Sequence, residues 1–230
     1  MATISQTPPE TAQGEDLVRV ETFLLQGVSW GTYESLLRDF ERSGSNLRMT
    51  YDRGSLELMS PAKPHERPKK RIGRMIECIT EELNIPVESG GSLTFRKPLK
   101  ERGLEPDECY WISHEASVSE QADFDFDRDP PPDLAIEVEN TSTILDRLPI
   151  LAALGFPEIW RVTEDSLLIG RLQNDGTYTW GDRSEELPFV SIADLQRWLP
   201  KVPGQNETAW IRAFRAWVRA ELAPRFQRPD

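Results

Sequence analysis

The chain has 230 residues and a mass of 26.3 kDa, enough to bury one sizeable core, and its 38% hydrophobic and 29% charged content fits a globular protein on the polar side. Thirty-nine acidic against 27 basic residues leave a net charge of −12. This argues against an overall basic nucleic-acid binder, because sequence-independent affinity for DNA comes mainly from Lys and Arg neutralising phosphates, although a local patch stays open. Two cysteines, Cys78 and Cys109, and two histidines, His65 and His114, exclude a disulfide framework, a cysteine zinc site and a histidine-rich centre. No run approaches the apolar length of a membrane span, and the polar first 16 residues do not resemble a secretory signal, so a cytoplasmic location is expected.

Residues 1–18, rich in Pro, Gly, Thr and Glu, are expected to be a disordered tail. Tyr33, Leu36, Leu37 and Phe40 recur at spacings of three and four and predict an amphipathic helix over 29–43. Residues 47–51 and 55–59 read as strands around an Arg53-Gly54 turn. Past Pro64 and Pro68, the stripe Ile72, Met75, Ile76, Ile79 and Leu83 predicts a helix from about 67 to 83. Short strands follow at 86–88, 93–97 and 106–113, then an acidic, Pro-rich loop over 117–132 and the clearest strand of the chain over 134–140. A helix is predicted over 142–154, where Pro149 is tolerable only in the first turn, and Gly155 and Pro157 end it. Strands at 158–162, 166–172 and 177–180 come next, the last two joined at Asn174-Asp175-Gly176. A short helix over 191–198 precedes a longer one over 207–222, which carries Trp210, Phe214, Trp217 and Val218 on one face. That stripe reads as core or as an oligomer contact, and a homo-oligomer, a dimer at the simplest, is expected. Residues 201–230 are expected to form a C-terminal helical extension.

The chemistry concentrates in the strand from Asp133 to Glu139. Side chains alternate along a strand, so Leu134, Ile136 and Val138 should face a core while Asp133, Glu137 and Glu139 share the other side. Like charges so placed repel unless a cation sits among them, and hard Mg²⁺ prefers carboxylate oxygen. If the strand that follows Asp107 pairs beside this one, Asp107 and Glu137 can converge on one metal. Arg147, a few residues on, could reach back over the acids as a fixed cation. A basic run, including Lys63, Arg67, Lys69 and Lys70, offers a phosphate patch. The local balance supports it: residues 63–102 hold 10 basic and 6 acidic side chains, while 103–146 hold 1 and 13.

A Pro-Asp followed some thirty residues later by Glu-x-(basic or polar) is the skeleton of the PD-(D/E)XK nuclease site. The chain resembles the Uma-two family of that superfamily. The resemblance rests on Tyr51-Asp-Arg-Gly-Ser-Leu-Glu57-Leu-Met-Ser-Pro, Pro64-His65-Glu66, Pro106-Asp107, Pro132-Asp133-Leu-Ala-Ile-Glu137-Val-Glu139, and Asp146-Arg147 running on to Leu154-Gly-Phe-Pro-Glu-Ile-Trp160. It spans roughly residues 20–200 and implies an α/β fold, a restriction-endonuclease-like mixed central sheet flanked by helices, over residues 19–200. It also implies a Mg²⁺ (or Mn²⁺) site and cleavage of a nucleic acid, DNA in the first place. By the same resemblance Asp107 and Glu137 are the metal-binding acids. Glu139 stands where the superfamily motif has Lys, and Arg147 occupies the helical position where relatives carry one. Arg cannot shed a proton. Arg147 is therefore expected to stabilise charge on phosphate, Glu139 to orient water, and Glu57 and His65 to serve as outer-shell or substrate-orienting groups. The alternative expectation is a nuclease-fold binding module whose catalysis is lost with the Lys.

Overall fold

The computed structural model describes residues 22–45, 47–60, 66–91, 93–121, 124–126, 128–139, 143–200 and 202–226. Alternation builds the first sheet. In β2 (Arg48–Asp52), Met49 and Tyr51 pack with Leu56 of β3 (Ser55–Met59) against helix α1 (Trp30–Ser43), whose Tyr33 and Leu37 are buried. The intervening Arg48, Thr50 and Asp52 therefore face the opposite way. Together with β1 (Thr22–Leu25), β5 (Phe95–Lys97) and β6 (Arg102–Leu104) these strands form an antiparallel sheet in the order β1-β3-β2-β6-β5. Helix α1 is bounded by chemistry suited to its ends: the Ser29 hydroxyl accepts from the Thr32 N–H, and Gly44 adopts a left-handed conformation with φ of 65°.

The second sheet comprises β4 (Glu88–Ser89), β7 (Glu108–Trp111), β8 (Leu134–Val138), β9 (Glu158–Val162), β10 (Leu167–Leu172) and β11 (Tyr178–Gly181), in the order β11-β10-β9-β8-β7-β4. Only β8 and β9 run parallel, and helix α4 (Leu148–Leu154) makes the crossover between them. One face of this sheet places Leu134, Ile136, Trp160 and Ile169 in the main core with α2 (Glu66–Leu83), α5 (Ile192–Gln196) and α6 (Glu207–Trp217). On the other face, Cys109, Ala135 and Ile159 pack with Ile150, Leu151 and Leu154 of α4 and with Phe95 and Leu104 of the first sheet. The layers thus run α1, first sheet, α4, second sheet, then α2 with α5 and α6.

Three expectations change. The strand of residues 134–138 is buried throughout, not on one side only, because α4 and the first sheet cover the face that carries the acids. The helix expected from 142 begins at Leu148, with Arg147 at its cap and Pro149 in the first turn, while residues 140–142 lie outside the described residues. The aromatic stripe of α6 is consumed internally: Trp210, Phe214 and Val218 are almost fully buried in the main core against α2. This removes the reason for reading the stripe as an oligomer contact, and it makes the expected C-terminal extension part of the same core. The acidic loop also contains a short helix, α3 (Glu115–Val118), and its Phe124 and Phe126 close over Phe95.

Candidate active site

The antiparallel register of β7 and β8 pairs Glu108 with Ile136 and Cys109 with Ala135, so Asp107, one step before β7, falls opposite Glu137. The Asp107 N–H donates to the Ile136 carbonyl at 3.1 Å, and Asp107 Oδ2 accepts from the Val138 N–H at 2.8 Å. The two acids of the expected pair therefore meet on one face of the second sheet, looking toward the first.

Each acid meets an arginine there. Arg147 reaches back from the start of α4, as its position in the sequence suggested. Its Nε donates to Glu137 Oε2 at 2.5 Å and its Nη2 to Oε1 at 2.9 Å, a two-pronged grip. The same guanidinium donates to Thr50 Oγ1 at 3.0 Å and to the Glu105 carbonyl at 2.6 Å. Arg48 of β2 is hydrogen-bonded to Asp107 Oδ1 and lies 3.4 Å from Glu105 Oε1. Arg48 and Thr50 have no place among the expected site residues. Their signal was the alternation of residues 48–52, which turns both toward the acids.

Burial and charge oppose each other in this cluster. Burial pushes the Glu137 carboxyl above its ordinary range, and the Arg147 charge and hydrogen bonds pull it back. Burial also works against charge on Arg147, but the Glu137 carboxylate outweighs it and holds the guanidinium above its ordinary value. Arg48 behaves alike: burial is more than offset by Asp107. Both arginines are therefore permanent cations.

The other expected site residues are dispersed. Glu57, paired in register with Thr50, is buried and accepts the N–H groups of Ile144 and Leu145, the latter at 2.9 Å, so it anchors the segment leading to Arg147. Glu139 lies just past β8 and is ion-paired with Arg161 at 3.0 Å, both groups half-buried. Asp133, which alternation had grouped with these acids, accepts instead from the N–H groups of Ile112 and His114 and bonds His114 Nδ1 at 2.5 Å. The basic run belongs to the other side of the sheet. Lys69 lies 3.7 Å from Glu108, whose carboxyl is pushed up by burial and pulled back by Lys69 and Lys70. Arg71 is buried against the carbonyls of residues 198–200, and Arg74 pairs with Glu207 at 3.3 Å. Arg67 lines a hollow of about 570 Å³ in which Arg71 faces Glu164 and Asp165, so the two cations there are balanced. Lys63 and His65 lie outside the described residues.

Hard oxygen donors suit a hard cation. Among the described residues, Asp107 and Glu137 are paired with Arg48 and Arg147, and Glu105 lies beside Arg48. No group of three or more His, Cys, Asp or Glu side chains among the described residues is placed to hold a metal ion, so what the site offers such a cation is the carboxylate-oxygen donor type alone, already engaged by arginine.

Comparison with known proteins shows the family of the chain. The family model described as "Putative restriction endonuclease" (Uma2) matches residues 30–200. Among solved structures, the chain is similar to a "putative nuclease belonging to DUF820" from Anabaena variabilis ATCC 29413, with 15% identity and a TM-score of 0.44, over 66% of this chain and 90% of that one. No curated protein matches the chain.

Proposed function

Because the chain belongs to the Uma2 family, whose model covers residues 30–200, we propose that it is a metal-dependent endonuclease that hydrolyses nucleic-acid phosphodiester bonds, DNA in the first place. Asp107 and Glu137 would hold Mg²⁺ or Mn²⁺. The observation that carries this reading is the register that sets those two acids opposite each other, thirty positions apart in sequence. A cation bound there supplies Lewis-acid polarisation of phosphate and a lowered water pKa.

The chain's own residues divide the remaining work. Arg147 fixes the orientation of Glu137 through both carboxylate oxygens, and its charge opposes the upward push that burial exerts on that carboxyl. It holds its proton at any working pH, so it stabilises negative charge and takes no proton from water. Glu139, half-exposed and held by Arg161, is the carboxylate we assign to orienting the attacking water. Arg48 plays for Asp107 the part that Arg147 plays for Glu137.

One observation favours a second reading, a nuclease-fold binding module without catalysis. Both oxygens of Glu137 and both of Asp107 already have partners, so the acids are neutralised without a metal. Two measurements separate the readings. With Mg²⁺ or Mn²⁺, supercoiled plasmid should be nicked, and chelation, Asp107→Ala or Glu137→Ala should stop it. Calorimetry should show divalent-metal uptake that Glu137→Gln weakens. Binding of nucleic acid with neither cleavage nor metal uptake would replace the enzyme by the module.

A further inference from the structure

The face of the second sheet that holds the acid pair continues outward to an aromatic side chain. Alternation and register trace it: Glu137 lies beside Arg161 in β9, Arg161 beside Leu168 in β10, and Gly170, two residues on, beside Trp180 in the edge strand β11. Trp180 is 44% exposed, the most open of the large side chains on this row, next to Leu168 at 43%. Gly170 makes room for it. A Cβ at that position would stand 2.9 Å from the indole Cζ3, so its absence lets the ring lie across β10. The Arg161 guanidinium sits over the same ring, 5.8 Å from its centroid. Arg161 also carries the ion pair to Glu139, and both partners are partly solvent-exposed, so an incoming phosphate can compete for the guanidinium.

We infer that Trp180 and Arg161 form a stacking platform for an unpaired nucleobase and its phosphate, which makes single-stranded or locally opened nucleic acid the substrate class. An open indole gives a base a π-face to stack on, and the arginine beside it supplies a charge for the backbone. A paired base in a duplex has both faces occupied by its neighbours and gains nothing from the indole. Three strand spacings and a two-residue offset along β10 separate Trp180 from Glu137, about 16 Å, so a strand stacked there extends along the same face toward the acids. The inference rests on nucleic acid being the ligand, which both the nuclease and the binding-module readings share.

The test is fluorescence anisotropy of a labelled 12-nucleotide single strand and of the matching duplex, with EDTA present to prevent cleavage. Trp180→Ala should weaken single-strand binding about tenfold or more and leave duplex binding unchanged. Trp180→Phe, which keeps a ring, should recover most of the loss. Circular dichroism of both variants controls for folding. Wild-type binding that is unaffected in Trp180→Ala, or a loss equal for single strand and duplex, overturns the platform while leaving the nuclease reading intact. Failure of the wild type to bind either oligonucleotide overturns that reading and the platform with it.

Discussion

Arg147 donates to four acceptors on three separate stretches of chain: Glu137, Thr50 and the Glu105 carbonyl. It and Glu137 are nearly buried, with side-chain exposures of 13% and 10%, so removing one partner leaves the other charged and stranded. Arg147→Ala should destabilise the fold by about 3–5 kcal/mol, read from urea denaturation. Arg147→Lys should lose less, because it keeps the charge but not the fork. Adding Glu137→Gln to Arg147→Ala should return part of the loss, since the unpaired charge is then gone. That Arg147 could reach back over the acids was legible in the sequence, from its place a few residues past their strand and from the resemblance; its two-pronged hold on Glu137 was not. Nor was Arg48. Nothing in a linear chain says that a strand near residue 50 will face one near residue 107 across a gap between two sheets.

At the scale of elements, strong periodicity carried the reading. Helices α1 and α2 and the strands β2, β3, β8, β9 and β10 lie close to the expected places, because each has a clear stripe or alternation. The strands β1 and β6, four and three residues long, have too little pattern to announce themselves and exist through pairing with β3 and β2. Helix α4 is shorter than its apolar spacing suggested because Pro149 fits only at its start. Strand β6 also carries a tight contact: a Cβ on Gly103 would lie 2.3 Å from the Tyr33 hydroxyl and 2.9 Å from its Cζ. Tyr33 is fully buried and stacked on Tyr51 at 4.8 Å, so the ring has little space to retreat. Gly103→Ala should therefore cost about 1–3 kcal/mol, seen as a lower urea midpoint with unchanged slope.

Across the whole molecule, helix α5 is tied to the C-terminal segment through Asp194. Its carboxylate accepts from Ser191 at the start of α5 and from Arg225 near the end of the described chain, at 2.9 and 3.0 Å. Burial works against its charge, but the Ser191 and Arg225 contacts outweigh it and hold the carboxyl below its ordinary range. A folded-state pKa below the unfolded one contributes stability at neutral pH. That stability is present above about pH 4 and is lost as pH falls through the depressed folded value. Asp194→Asn should be less stable at pH 7 and lose less between pH 5 and pH 3 than the wild type, as urea melts at each pH would record. No described helix is long and apolar enough to cross a membrane.

The anchoring of residues 144 and 145 on Glu57 bears on access. Those two amides belong to the stretch that joins Glu137 to Arg147, and they are fastened to the opposite leaf of the molecule. Arg147 adds a rivet a few residues later. Parting the two leaves there would break both fastenings among largely buried groups. Under the nuclease reading proposed above, a nucleic acid would therefore approach the acids along the margin between the leaves, narrow end or frayed loop first.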